Sequence, residues 1–332
     1  MRVLVLGGTQ FVGRAVVDEA LARGWSVTTF NRGTRPATDR VTALVGDRTA
    51  PRGLAALEDG SWDVVVDTWS WAPSVVRDSA SLLASRAGRY VYVSSRSVYA
   101  SPLPAGVGED AAVVQASPDA GDVEYPEAKA GAELAVVASF GDRAVLARPG
   151  VILGPHENVG RLPWWLNRIA RGGEVLAPGP AGLGIQYIDA RDLASWCLTA
   201  GASGLHGAYN IVAPVGHATM GSLLEAAVRM TGSRAVLRWV PPEVILAAGI
   251  EPWTDLPIWL PPGELHGSFH ESDVTKALAA GLHCRPVEET VADTWAWLQS
   301  IGGTPPQRED RPAVGLDPEL EQRVLASVSS AS

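Results

Sequence analysis

Short, nearly continuous apolar runs alternate with segments of helix-spaced apolar residues through the first half of this chain. Residues 3–6 form such a run, closed by Gly7-Gly8, and residues 11–23 follow with Val12, Ala15, Val16, Ala20 and Leu21 on one helical face. Further runs at 25–30, 41–45, 63–67, 90–93 and 144–147 read as strands, with helices between them, among them 74–87 and 125–139. Strands that are apolar throughout, rather than alternating, are buried on both faces. That is the pattern of a parallel sheet covered by helices. The expected fold class is α/β, a doubly wound parallel sheet with a smaller, discontinuous C-terminal substrate lobe.

The pattern loosens after Arg148-Pro149-Gly150. A strand at 186–189, a helix at 190–200 and a strand at 209–212 resume the alternation, while the remaining segments are rich in glycine and proline. The expected division is therefore 1–153 and 184–212 for the sheet domain, 154–183 and 213–302 for the substrate lobe, and 303–332 for a C-terminal tail. The tail begins polar and proline-rich, so it is expected to be mobile apart from a short helix near 318–326.

Charge and composition narrow the partners. With a formal net charge of -9 and no basic stripe, nucleic acid is a poor partner. No apolar stretch reaches membrane-spanning length, and the run at 3–6 is too short for a signal peptide, so no membrane association and a cytoplasmic location are expected. The 2 cysteines, Cys197 and Cys284, lack metal spacing. His266 and His270 have it, but in a glycine- and proline-rich setting, so no metal is expected. The partner left is a small-molecule substrate, met by a monomer or homodimer.

The chemistry lies at a few points. Tyr125 and Lys129 stand one helical turn apart, which puts a phenol and an ammonium on one face. A free phenol, with a pKa of about 10, is a poor proton donor or acceptor near neutrality, and a nearby ammonium favours its ionised form. Ser94 and Ser95 end the strand at 90–93 and offer hydroxyls to the same place. The first strand runs into Gly7-Gly8-Thr9-Gln10-Phe11-Val12-Gly13 and then a helix, the arrangement that brings backbone N–H groups and a helix N-terminus to a dinucleotide pyrophosphate. Gln10 takes the place of the middle glycine. At the end of the second strand stand Asn31 and Arg32, with Arg35 nearby, where an NAD site usually carries a carboxylate. Guanidinium groups suit a 2′-phosphate, so NADP (as NADPH) is the favoured cofactor and NAD the other candidate. Asp47, with Arg48 beside it, is read either as an acceptor for the adenine amino group or as a plain turn carboxylate.

Taken together, these motifs resemble the short-chain dehydrogenase/reductase superfamily, in its extended or atypical branch of NAD(P)-dependent epimerase/dehydratase-like proteins. The resemblance spans most of the chain. It is carried by the glycine turn, Gly46-Asp47-Arg48, Ser94-Ser95-Arg96-Ser97-Val98-Tyr99, Tyr125-x-x-x-Lys129, Ala147-Arg148-Pro149-Gly150 and Gln186-Tyr187-Ile188-Asp189-x-x-Asp192. It implies a Rossmann-type domain, catalytic roles for Ser95, Tyr125 and Lys129, and a nicotinamide wall at Pro149 and Val151. Gly7, Thr9, Gln10, Phe11, Val12, Gly13, Ser94 and Arg48 are then expected at the cofactor.

The subtype follows from departures. Ser95-Arg96-Ser97 stands where the family's dehydratases carry Thr-Asp-Glu, which disfavours dehydration. The expected function is an NADP(H)-dependent oxidoreductase, a carbonyl or imine reductase or an alcohol dehydrogenase. The alternatives are a nucleotide-sugar epimerase and a non-catalytic cofactor-binding sensor or scaffold. The chain holds 12 tryptophans. Trp69, Trp71 and Trp164, with Arg96 and His156, are the expected substrate contacts. Arg161, Arg168 and Arg171 read as solvated groups or phosphate contacts.

Overall fold

The structure, a computed structural model, describes residues 1–34 and 40–329. Its strands are β1 (Arg2–Leu6), β2 (Ser26–Asn31), β3 (Thr42–Val45), β4 (Trp62–Asp67), β5 (Ala87–Val93), β6 (Ala144–Pro149), β7 (Val151–Leu153), β8 (Glu174–Pro178), β9 (Gly184–Ile185), β10 (Tyr187–Asp189), β11 (Gly207–Ile211), β12 (Ala218–Thr219) and β13 (Val236–Val240). Its helices are α1 (Phe11–Ala22), α2 (Pro73–Leu83), α3 (Tyr125–Phe140), α4 (Arg161–Ala170), α5 (Ala190–Ser203), α6 (Met220–Thr231), α7 (Pro242–Ala247), α8 (Glu264–His270), α9 (Thr275–Ala279), α10 (Val287–Ser300) and α11 (Pro318–Ser329).

A seven-stranded parallel sheet in the order β11-β6-β5-β4-β1-β2-β3 organises the first domain. Successive strand residues point to opposite faces, and here both faces are covered. Val3, Val5, Val64 and Val66 pack with α1 and α5 through Val16, Ala20, Leu193 and Cys197. Leu4, Leu6, Val65, Tyr90 and Tyr92 pack on the other side with α2 and α3 through Val76, Leu83, Ala132 and Val136. The sequence pattern thus gives the doubly wound α/β sheet it predicts. β3 is the exception: as an edge strand it leaves Val45 exposed. Strand order reverses between β1 and β4, and the crevice beyond their carboxyl ends is where such sheets hold ligands.

A second core joins β8 and β13, paired in parallel, to α4, α6 and α10 around Trp165, Leu224, Trp259 and Val291. Two segments cross the expected division. Ala277 and Leu282 pack on the sheet domain, while Leu316, Val324 and Leu325 belong to the second core. The strand-to-helix motif at 186–192 ties the domains together. Asp189 accepts from Thr290 at 2.9 Å, and Asp192 is paired with Arg285 at 2.7 Å.

The tail differs from the mobile segment that its composition suggests. The helix expected near 318–326 is α11, whose buried Glu321 accepts from Arg168 Nε at 2.7 Å and from Leu176 N at 3.0 Å. Residues 303–315 are held at three points: Asn167 Nδ2 donates to Gly303 O at 2.9 Å, Arg308 N to Asn158 O at 3.0 Å and Gly315 N to Thr254 O at 2.8 Å. Gly315 has φ +127, and a Cβ there would run into the Trp164 indole. Backbone bonds and one glycine contact, rather than apolar periodicity, fix this segment, and a composition reading does not register them.

Candidate active site

α3 begins at Tyr125 itself, after an extended Glu124 and with Pro126 in the first turn, where its missing N–H costs nothing. One turn on, Lys129 is buried. Its ammonium donates to Trp69 O at 2.6 Å and to Val93 O at 2.7 Å, and lies 4.8 Å from the centre of the Tyr92 ring. Burial pushes Lys129 down to about 7; the charge of Asp67 opposes the shift and that of Arg308 adds to it. Two of its three N–H groups are used, which leaves one donor.

Lys129 is thus anchored to the ends of β4 and β5, and β5 leads directly into the serines. The Ser95 hydroxyl donates to Ser97 Oγ at 3.1 Å and accepts from Ser97 N. Ser94 Oγ is buried without a hydrogen-bond partner among the described residues. α3 packs against the turn Arg96–Val98, so the helix that carries Tyr125 and Lys129 lies beside the turn that Ser95 caps.

The glycine turn fits a dinucleotide. A Cβ on Gly7 would lie 2.7 Å from Thr68 Oγ1, and one on Gly13 would lie 2.7 Å from Gly8 N, so side chains there would fill the space between strand and helix. Gln10 is the N-cap of α1 but does not cap it with its side chain, and the first turn carries no acidic residue. Gln10 Oε1 instead accepts from Asn158 Nδ2 at 3.2 Å. The uncapped helix start, with Thr9, Phe11 and Val12 around it, suits an anionic group. An orphaned Ser94 hydroxyl and a spare Lys129 donor beyond the same sheet edge agree with a bound nicotinamide nucleotide. Pro149 and Val151, the expected wall, are buried at the end of β6 and the start of β7.

Other expected residues have different engagements. The Arg48 guanidinium pairs with Asp67 at 2.7 and 2.8 Å, donates to Ser79 and stacks on Trp69. Against the burial that favours protonation, this guanidinium and the Tyr90 hydroxyl hold the Asp67 carboxyl below its usual range. Asp47 Oδ1 accepts from both the hydroxyl and the N–H of Thr49, bonds that lower its carboxyl. Asn31 Oδ1 accepts from Gly33 N, Arg32 is exposed, and Arg35 lies outside the described residues.

On the substrate side, Arg96 is buried and donates to Ser268 O and Phe269 O of α8, which ties the lobe to the serine turn. Burial pushes it down to about 10. His156 lies edge-on to Trp297, and burial pushes it down to about 4. Trp164 is packed on Trp165 and Gly315 in the second core, and Trp69 donates its indole N–H to Ala72 O. Trp71 remains exposed, with the Arg308 guanidinium 5.5 Å from its ring. Among the described residues no group of three metal-ligating side chains is assembled, and no helix is long and apolar enough to cross a membrane.

Sequence reasoning missed the strap at 304–317, which brings Arg311 to 4.9 Å from the centre of the Tyr125 ring. It undervalued Arg161, which lies 5.6 Å over Trp253 and is depressed by burial while the charges of Arg311 and Arg308 lower it further. No pattern in the sequence marks either residue, because each acts through a contact between distant segments.

Several solved structures share this fold. The Bordetella bronchiseptica enzyme WbmH in complex with NAD+ aligns with a TM-score of 0.66 at 18% identity, covering 91% of this chain and 99% of that one. The UDP-glucuronic acid 4-epimerase from Bacillus cereus in complex with NAD aligns with a TM-score of 0.63 at 15% identity, covering 91% and 99%. The UDP-N-acetylglucosamine 4-epimerase from Bacillus cereus aligns with a TM-score of 0.63 at 15% identity, covering 90% and 99%. At these identities the likeness is one of fold. No curated protein matches the chain in sequence. The family described as NAD dependent epimerase/dehydratase matches residues 3–212, the stretch that holds the glycine turn, the serines, Tyr125 and Lys129, and the chain belongs to that family.

Proposed function

We propose that this chain is an epimerase-type enzyme that oxidises and re-reduces one hydroxyl-bearing carbon of a nucleotide-linked sugar, with Tyr125 moving the proton. The observation that carries the reading is Lys129, buried between Trp69 O and Val93 O with one donor to spare, one turn from Tyr125. The family and the named neighbours support the substrate class. A bound nicotinamide supplies hydride acceptance and return.

The residues divide the remaining work. Tyr125 takes the proton of the substrate hydroxyl as the carbon loses hydride, and gives it back when hydride returns to the other face, so no net oxidation results. Ser95 turns its hydroxyl from Ser97 to the same substrate oxygen. Lys129 holds positive charge beneath the site, where negative charge develops. Tyr125→Phe is expected to lose about 10²–10⁴-fold in turnover with cofactor affinity little changed. Near-normal turnover in that variant contradicts the assignment.

Asn31 and Arg32 favour a second reading, an NADPH-dependent carbonyl reductase, because no carboxylate stands at the end of β2. Stoichiometry separates the two. An epimerase interconverts its sugars with no net change in nicotinamide absorbance and purifies with NAD attached. A reductase consumes one NADPH for each carbonyl and releases the product.

A further inference from the structure

We infer that Arg161 and Arg311 form an anion subsite beside Tyr125, which takes a carboxylate or phosphate carried close to the reacting carbon of the substrate. This deepens the proposed function and rests on Tyr125 as the proton-transfer group.

Arg311 lies on the strap, its guanidinium 4.9 Å from the centre of the Tyr125 ring, and Arg161 opens α4, 5.6 Å over Trp253. Neither guanidinium is in an ion pair among the described residues. Four acids around them are already engaged. Asp310 pairs with Arg308, Asp67 with Arg48 and Glu133 with Arg148, while Glu157 accepts from Arg161 N and Leu162 N at the start of α4. Burial lowers Arg161, against the charge of Glu157, and the charges of Arg311 and Arg308 add to the shift; burial likewise lowers Lys129, against the charge of Asp67, and the same two arginines add to it. A corner that gathers Lys129, Arg161 and Arg311, with the buried acids Asp67 and Glu133 already paired elsewhere, carries a standing repulsion that an anion relieves.

The present contacts of these arginines are easily exchanged. A guanidinium on an aromatic face is held by about 0.5–2 kcal/mol. A charge-assisted bond to carboxylate or phosphate is stronger, and it forms here without breaking an ion pair. The position also limits where the anion sits on the substrate. Tyr125 meets the reacting oxygen through its hydroxyl, and Arg311 lies over the same ring. An acid group bonded to Arg311 therefore lies close to the reacting carbon. An acidic group on the reacting ring satisfies this; a distant one does not.

The test is a fluorescence titration of the cofactor-saturated full chain with inorganic phosphate and, separately, with malonate, read through Trp71 and Trp253. A saturable change is expected, and the better-bound probe tells phosphate from carboxylate. Arg311→Gln and Arg161→Gln should each raise the half-saturating concentration at least tenfold. Arg311→Lys should recover part of the loss, which shows that charge rather than folding was removed. Arg171→Gln, exposed at the end of the same helix, should leave it unchanged. Tyr125→Phe should keep anion binding, so failure of the catalytic assignment is seen separately. The subsite is overturned by no saturable response, by a response that both glutamine variants retain, or by competition between the anion and the cofactor.

Discussion

Four arginines set the two regions of this molecule apart. In the sheet domain, Arg48 and Arg148 are buried and closed onto Asp67 and Glu133, at 2.7 Å in each case. Where the second lobe and the strap meet the site, Arg161 and Arg311 rest on aromatic rings instead. A closed pair fixes architecture, since its charge is spent. An open guanidinium next to a catalytic corner is available to a ligand. The sequence suggests the reverse, with Arg48 near a cofactor motif and Arg161 a solvated residue. Only the position of the partner carboxylate tells the two kinds apart.

The comparison breaks first at Arg48. Replacing it by methionine leaves Asp67 buried without its partner, and the expected cost is about 3–5 kcal/mol, read as a fall in the denaturant midpoint. Adding Asp67→Asn should recover part of it. An unchanged midpoint with weakened cofactor binding would return Arg48 to the cofactor site.

Gly315→Ala attacks the other region. A methyl group against Trp164 at a positive φ should cost about 1–3 kcal/mol and lift the strap. Anion binding should weaken with it, while cofactor binding stays. If the strap is not part of the site, stability alone will change.

The pH dependence of Lys129 gives a smaller effect with two signs. Its pKa is about 7 in the folded chain, below the ordinary lysine value. The ammonium form is the one that donates, so cofactor affinity should fall as pH rises through 7, by at most about tenfold per pH unit. Lys129's own contribution to stability runs the other way. The folded state holds this proton less tightly than the unfolded chain, so stability improves between pH 7 and the ordinary lysine range. Comparing wild type with Lys129→Met across that window, by calorimetry and by cofactor titration, should show the two opposed trends. The smallest effect is expected at Arg32. Arg32→Ala should leave stability unchanged and lower NADPH affinity several-fold, with NADH affinity unmoved. Equal affinities before and after would remove the basis for the reductase reading.

Much of the sheet domain was legible because a doubly covered parallel sheet writes itself as apolar runs. The segments read at 3–6, 63–67 and 144–147 fall on β1, β4 and β6, and the helix read at 125–139 falls on α3. Capping sets a boundary that periodicity does not show: α4 begins at Arg161, where Glu157 accepts from the N–H groups of Arg161 and Leu162. That Tyr125 and Lys129 share a helix beside the Ser95 turn was legible as spacing plus order. The environment of Lys129 was not, since its two acceptors are carbonyls of β5 and of the residue beyond Thr68. Nor was the strap, because no periodicity marks a segment held by backbone bonds to Asn158 and Thr254.

The docking of α11 has a practical consequence for anyone shortening this chain. Residue 302 looks like a natural stopping point, with a proline-rich stretch after it. A protein ended there loses Glu321, leaving the Arg168 guanidinium buried in the lobe with its carboxylate gone and the Leu176 N–H without its acceptor. It also loses Arg311 from the face of Tyr125. The shortened chain would keep every motif by which its family is identified and give a false account of its selectivity.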